Sequence, residues 1–245
     1  MHRRELSITA FAVWAIGMAT SVRANTFFVT ATRTGWFASN GQHTSGNNNY
    51  EIGDIDTPGF LLRDFATFTL PLPGAGQKFV AATLTIPNGT LSTSDPSETA
   101  TFFDVSTSAS TLNTGFSSGS STGLAVYDDL GSGTIFGSQV YFPSDPPAGS
   151  KTITLNSAAV DAMNAAAPGS SFSIGGAVTS LDGVDNIEII YTGAVGPFHQ
   201  LALTTAPAPE PGSVVIVATG AVFGLKRHRR FHASSMDRNE LVGHS

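Results

Sequence analysis

The sequence contains no cysteine among its 245 residues. Disulfide bonds, zinc sites built on thiolates and cysteine nucleophiles are therefore excluded. Histidine is scarce as well, since His43 and His199 are the two histidines between residues 25 and 208. A zinc site needs three or four ligands, and neither histidine has other ligands at a suitable spacing. We expect structural roles for both histidines.

Positive charge is almost missing from the middle of the chain. Residues 25–208 contain 14 Asp and Glu but four Lys and Arg, which gives this region a net charge of −10. The other eight basic residues lie towards the two ends. A protein that binds nucleic acid must neutralise phosphates with Lys and Arg. Nucleic acid is therefore not expected as a partner.

A nucleophile elbow in its required setting is also lacking. No Gly-x-Ser-x-Gly motif lies between a predicted strand and a predicted helix, where a nucleophile elbow would need it. Glycoside cleavage would require two carboxyl groups about 5–9.5 Å apart, a distance that sequence separation does not reveal. We predict a non-enzymatic protein. The alternative is a surface hydrolase that uses loop carboxylates such as Asp54, Asp128 or Asp182.

The middle of the chain does contain the pattern of β-strands. Apolar residues alternate with alanine and threonine between Val80 and Ile86, and a period of two is typical of a half-buried strand in an antiparallel sheet. Turn-forming residues bound this stretch and others like it. Further strands are predicted at 26–30, 60–70, 100–105, 124–127, 134–142, 152–155, 171–178, 187–191 and 198–203. This pattern predicts an all-β fold, an antiparallel, jelly-roll-like β-sandwich.

One short helix is predicted within this pattern. Asn156 or Ser157 can cap the helix-forming run 158–167, and Pro168-Gly169 ends it. By contrast, residues 106–123 are rich in Ser, Thr and Gly, which favours a long surface loop.

Hydrophobic segments occur at both ends of the chain. Residues 1–24 combine a basic start, an apolar stretch from Leu6 to Val22 and a small residue, Ala24, at the expected cut. This combination is typical of a secretory signal peptide, and an uncleaved membrane anchor is the alternative. The sequence therefore predicts an exported protein.

The C-terminal hydrophobic segment has polar signals on both sides. Pro209-Glu210-Pro211 precedes an uncharged run, residues 214–225, and a basic cluster follows it, formed by Lys226, Arg227, Arg229 and Arg230. The run is shorter than the about 20 residues of a full membrane span. Long basic side chains that reach the interface and local thinning of the bilayer can accommodate a short span. A buried helix or strand of the domain is the alternative.

These three elements, in this order, resemble the PEP-CTERM sorting signal of exported bacterial proteins. The resemblance implies signal peptidase and an exosortase as partners, the latter a membrane protease that reads the Pro-Glu-Pro motif. It also implies an inner-membrane intermediate, followed by release to the cell surface or extracellular matrix. The chain would then divide into a signal peptide (1–24), a β-sandwich domain (25–205), a Pro-rich linker (206–212), a sorting segment (213–230) and a cytoplasmic tail (231–245).

Part of the domain resembles the domains of many PEP-CTERM proteins as well. The resemblance is carried by Gly35-Trp36-Phe37, His43, Asn49-Tyr50 and Arg63-Asp64-Phe65. Phe37 replaces the usual Tyr, and Asp64 replaces the usual Asn. Those domains have no established activity, and they are distantly similar to jelly rolls that bind carbohydrate.

Three aromatic residues of this stretch are candidates for binding sugar: Trp36, Phe37 and Tyr50. Sugar rings can pack their C–H faces against aromatic rings, so an exposed group of this kind would form a platform. The alternative is that these rings belong to the core of the sandwich.

Carboxylates gather at three predicted turns: Asp54 and Asp56, Asp128 and Asp129, and Asp182 and Asp185. Calcium is the cofactor that such loops could bind, because it takes six to eight oxygen ligands from carboxylates and carbonyls. Asp182 and Asp185 are the candidate ligands. The alternative is that these residues shape turns through bonds to their own backbone.

Arg63 lies in the middle of a predicted strand, with Leu62 before it and Phe65 two residues after it. A partly buried arginine there is expected to need a carboxylate partner.

These features predict an exported, non-enzymatic protein of the cell surface or exopolysaccharide matrix, for which polysaccharide is the candidate ligand. The alternatives are the surface hydrolase and a purely structural matrix protein.

Overall fold

The computed structural model describes residues 23–55, 59–183, 187–191 and 199–208. The Pro-Glu-Pro motif, the apolar run, the basic cluster, Asp56, Asp185 and almost all of the predicted signal peptide lie outside these residues. No helix within the described residues has the length and apolar character to cross a membrane.

Strands dominate the described residues, with three helices among them. The strands are β1 (Asn25–Thr30), β2 (Arg33–Ala38), β3 (Glu51–Asp54), β4 (Leu61–Thr69), β5 (Gln77–Pro87), β6 (Thr90–Ser92), β7 (Glu98–Asp104), β8 (Ile135–Tyr141), β9 (Ser150–Leu155), β10 (Ser171–Val178), β11 (Glu188–Tyr191) and β12 (Gln200–Pro207). The helices are α1 (Ala109–Leu112), α2 (Ser121–Asp129) and α3 (Ser157–Ala165).

The strands form two antiparallel sheets. The smaller sheet has the order β1-β12-β5-β9, and the larger has the order β6-β11-β3-β4-β10-β7-β8, with β2 paired to β4. The main hydrophobic core combines residues of both sheets, such as Leu84 and Leu203 from the smaller and Phe68 and Phe102 from the larger. The predicted all-β antiparallel sandwich is confirmed.

Strand β4 serves two cores because alternate residues of a strand point to opposite faces of the sheet. Ala66 and Phe68 belong to the main core, whereas Phe65 belongs to a second, smaller core. The other buried members of the second core are Phe37, Leu112, Val126, Tyr127 and Leu130. Helices α1 and α2 supply part of this core and thereby cover one face of the larger sheet.

The predicted strand at 124–127 is wrong, because these residues belong to helix α2. The Ser120 side chain caps this helix by accepting a hydrogen bond from the Gly123 N–H. Val126 and Leu130, four residues apart, then share the helix face that packs into the second core. The predicted loop 106–123 is partly wrong for the same reason, since it contains α1 and the start of α2.

The predicted helix at 158–167 is confirmed as α3. Asn156 is its N-cap, and its side chain accepts a hydrogen bond from the Ala159 N–H at 3.1 Å. Val160 and Met163 are buried against the main core.

Three strands were not predicted: β2, β3 and β6. Strand β12 also differs, because it continues to Pro207, two residues into the predicted linker. There Ala206 and Pro207 pair with Lys78 and Gln77 of β5.

Arg63 has backbone carbonyls as its partners among the described residues, not the carboxylate that was expected. Its Nη1 donates to the carbonyl oxygens of Tyr127 at 3.0 Å and Asp128 at 3.3 Å. The guanidinium also lies 4.3 Å from the centre of the Tyr127 ring. Arg63 therefore fastens the end of α2 to β4.

Candidate functional site

Two of the three candidate sugar-binding aromatics are buried and present no ring to solvent. Phe37 is in the second core, where its ring stacks on that of His43 with centroids 4.2 Å apart. Tyr50 is in the main core. Trp36 is partly buried. A platform of all three rings is therefore wrong, and the alternative that Phe37 and Tyr50 belong to the core is confirmed.

The reason lies in strand β2, which the sequence did not predict. Phe37 lies opposite Arg63 of β4, on the face that α1 and α2 cover. Trp36 lies opposite Asp64, whose side chain is on the other face. Adjacent aromatic residues of one strand thus face opposite sides and cannot form one surface.

The carboxylates meet at a different place, which we call the acidic corner: Asp95, Asp182 and Glu188. One carboxylate oxygen of each lies within 4.8 Å of those of the other two. Asp182 was a predicted calcium ligand, whereas Asp95 and Glu188 were not. Asp182 is exposed, Asp95 is partly buried and Glu188 is 1% exposed.

Hydrogen bonds to the buried side chain of Glu98 hold the acidic corner together. The Thr93 hydroxyl donates to Glu98 Oε1 at 2.7 Å, and the Ser180 hydroxyl donates to Glu98 Oε2. The Asp95 N–H in turn donates to the Thr93 hydroxyl at 3.0 Å. Glu98 thereby joins the segment that carries Asp95 to the segment that leads to Asp182.

A fourth carboxylate borders the acidic corner. Asp54 lies directly opposite Glu188 in the β3–β11 pair, where side chains of opposite residues share a face. It is 4% exposed, and its Oδ1 has no hydrogen-bond partner among the described residues. Its Oδ2 accepts a hydrogen bond from the Gly59 N–H at 3.3 Å. A cation at the acidic corner would therefore have a fourth carboxylate nearby.

The donors at the acidic corner are all carboxylate oxygens, which suit a hard cation such as calcium. Calcium at about 10 mM is expected to stabilise the protein by about 2 kcal/mol, if its affinity is that of extracellular calcium modules. Thermal unfolding with added calcium, and with chelator instead, measures this effect.

A double variant, Asp182→Asn with Glu188→Gln, is expected to lose the calcium effect, because it removes two ligand charges. Asp128→Asn is the matched control, since Asp128 is an exposed carboxylate outside the acidic corner. An unfolding temperature that calcium leaves unchanged, or raises equally in all three proteins, would count against the site.

Asp129, in another of the predicted turns, has structural partners. Asp129 accepts hydrogen bonds from the N–H groups and hydroxyls of Ser106 and Thr107, the shortest at 2.6 Å. These bonds lower the pKa of Asp129 against the opposing effect of its burial. Asp129 therefore has a structural role, but it ties the end of α2 to a distant segment and does not shape a turn through its own backbone.

Both histidines are buried, as their predicted structural roles require. His43 Nδ1 lies 2.7 Å from the Trp36 carbonyl oxygen, so its N–H donates there. Burial lowers the pKa of His43, and this hydrogen bond opposes the effect. His199 is buried more completely, and desolvation lowers its pKa to about 3.

His199 belongs to a buried polar group that was not predicted: Tyr50, Asp64, Tyr141 and His199, each at most 3% exposed. The rings of Tyr50 and His199 lie 4.9 Å apart. Burial raises the pKa values of Asp64 and Tyr50, and the nearby Asp64 carboxyl raises that of Tyr50 further. The core thus disfavours the charged form of Asp64. Leu62, Asp64, Ala66 and Phe68 follow one another at every second position of β4 and so share one face of the strand. This spacing could have predicted that Asp64 is buried.

No model of a known protein family matches the chain, and no curated protein matches it.

Proposed function

We infer that the chain is an exported, non-enzymatic protein of the cell surface or exopolysaccharide matrix. The observation that carries this inference is the arrangement of the chain around its domain. The sandwich begins with β1 at Asn25 and ends with β12 at Pro207. The segments with the composition of export and sorting signals lie immediately before and after it. The PEP-CTERM resemblance supplies the sorting route, through an exosortase.

The carboxylate geometry favours a binding or structural role over hydrolysis. One oxygen from each carboxylate of the acidic corner lies within 4.8 Å of those of the other two, a grouping in which one cation could contact all three side chains. Asp54, one of the carboxylates considered for hydrolysis, is buried. This spacing supports a shared cation, so calcium is part of the proposal.

Polysaccharide is the proposed ligand of the matrix form. The buried positions of Phe37 and Tyr50 remove the aromatic platform, so contact would have to use other surfaces. A purely structural matrix protein, without a ligand, remains the alternative.

The protein recovered from the surface fraction of the producing cells is expected to begin at Asn25 and to lack residues 214–225. Mass spectrometry measures both ends. The same material, incubated with the producer's exopolysaccharide and calcium, is expected to be retained by the polymer without shortening it. Size-exclusion chromatography reports retention and polymer length together.

The three functions give different results in this experiment. Shortened chains would indicate the hydrolase, and the Asp182→Asn and Glu188→Gln variant would then identify its carboxylates. An unshortened polymer that retains no protein would leave the structural role. A full-length protein found only in the cytoplasm would contradict export altogether.

A further inference from the structure

The N-terminal and C-terminal ends of the described domain lie next to each other. Both are beside residues 70–76, which we call the exit loop. Strand β1 begins opposite the end of β12, with Asn25 paired to Thr205. The Ala208 N–H, after β12, donates to the carbonyl oxygen of Gly76 in the exit loop at 2.7 Å. Gln77, the residue after the loop, donates through Nε2 to the Arg23 carbonyl oxygen at 2.9 Å. The N-terminal and C-terminal hydrophobic segments therefore attach to one end of the sandwich.

The exit loop presents apolar surface at this end. Leu72, between Pro71 and Pro73, is 71% exposed. Beside it lies a cleft of about 300 Å³, lined mostly by apolar side chains that include Leu70, Phe79, Met163 and Pro168. Lys78, one of the domain's four cations, is exposed at the edge of this cleft.

The distance that the chain can cover after Ala208 is short. Five residues, 209–213, separate Ala208 from the start of the apolar run at Val214. A fully extended chain spans at most about 3.3–3.6 Å per residue, so Val214 lies within about 20 Å of Ala208. Whatever environment holds the apolar run must also lie close to the exit loop.

We propose that the exit loop is the membrane-facing end of the domain, with Leu72 in the interfacial region of a phospholipid bilayer. This inference rests on the proposed membrane intermediate, in which residues 214–225 are inserted in the bilayer. The short connection then brings the loop to the bilayer surface, where transfer of the exposed Leu72 out of water is favourable. Lys78 faces the same surface and can contact anionic headgroups, whose potential attracts basic residues close to the membrane.

The absence of cysteine allows a direct test, because one introduced cysteine is the single labelling site. The full chain carrying Leu72→Cys is labelled with an environment-sensitive fluorophore and reconstituted into phosphatidylcholine–phosphatidylglycerol vesicles that contain nitroxide-labelled lipid. Ala75→Cys is a second probe on the exposed part of the loop. Phe142→Cys is the matched control, because Phe142 is also an exposed apolar side chain, 46% exposed. Phe142 lies beside Lys151, which pairs with Ile86 of β5. Ile86 is about 30 Å along β5 from Gln77, so Phe142 is far from the exit loop.

Quenching at positions 72 and 75 is expected to exceed that at position 142 by about threefold, since interfacial groups enter the boundary region by about 5–10 Å. Protein that floats with the vesicles but is quenched equally at all three positions would overturn the exit-loop assignment and leave the membrane intermediate intact. Protein that does not float with the vesicles would overturn both. Vesicles of phosphatidylcholine alone are expected to give weaker quenching if Lys78 contacts anionic headgroups, and Lys78→Gln should remove that difference.

Discussion

As the pH falls from about 6.5 to about 3, the free energy of unfolding of the His199→Phe variant is expected to exceed that of the wild type by a growing margin. His199 is neutral in the folded protein throughout this range, because burial lowers its pKa to about 3. In the unfolded chain the same group has its ordinary pKa of about 6.5. The unfolded state therefore binds a proton that the folded state does not, and each pH unit costs the wild type about 1.4 kcal/mol.

The size of this effect follows from the interval between the two pKa values. The stability associated with neutral His199 is fully present above about pH 6.5 and is lost as the pH falls towards about 3. Over the whole interval the loss is on the order of 5 kcal/mol, comparable to the total stability of many domains. Phenylalanine keeps the aromatic contact with Tyr50, 4.9 Å away, and has no proton to bind.

Asp64→Asn is expected to change the pH dependence in the opposite direction. Burial holds the pKa of Asp64 well above its ordinary value, so the folded state keeps a proton that the unfolded state releases. The wild type therefore loses stability from this group as the pH rises above about 4. Between about pH 4 and 6.5, His199 and Asp64 have opposite effects on the pH dependence of stability. The His199→Phe variant therefore reveals the effect of Asp64, and the Asp64→Asn variant reveals that of His199.

Urea unfolding at a series of pH values measures these differences, with the partly buried Trp36 as the fluorescent reporter. His43→Gln is the comparison for a second buried histidine, and a smaller pH effect is expected, because the Trp36 carbonyl partly offsets the effect of burial on the pKa of His43. A constant difference between wild type and His199→Phe from about pH 7 to 4 would contradict a neutral His199 in the fold.

The local sequence pattern was enough to predict the elements that have one apolar face and one polar face. Strand β5 alternates between core and surface from Ala82 to Pro87, and α3 has a capping residue and a stop signal, so both were predicted. Residues 124–127 are a short apolar run, for which a helix and a strand fit equally well. Packing of Val126 into the second core selects the helix. Phe37 is buried because it belongs to the same core.

The acidic corner could be predicted only in part, because its residues come from separate segments. Asp182 was predicted from its place in an acidic turn. Glu188 joins it through the pairing of β11 with β6, in which Ile189 lies opposite Ser92, and Asp95 joins it through the hydrogen bonds of Glu98. Neither contact has a signature in the local sequence, because both depend on which strands become neighbours.

Gly53→Ala is expected to destabilise the protein by on the order of 4 kcal/mol, among the larger effects of single substitutions. Gly53 has a φ of +115°, in the region that favours glycine. A Cβ atom at this position would lie 1.9 Å from the backbone carbonyl oxygen of Glu188. Since that oxygen belongs to strand β11, the β3–β11 pair would have to separate. Thermal unfolding should show a decrease of about 10 °C for a domain of this size.

Gly59→Ala is the matched control for this prediction. Gly59 has the same φ of +115°, but a Cβ atom there would meet nothing within 4 Å. Its substitution adds the backbone strain without the overlap, so a loss of about 1–2 kcal/mol is expected. The difference between the two variants measures the close approach of β3 to Glu188, and equal losses would show that backbone strain alone is responsible. Because Glu188 belongs to the acidic corner, Gly53→Ala should also abolish the calcium effect, whereas Gly59→Ala should retain it.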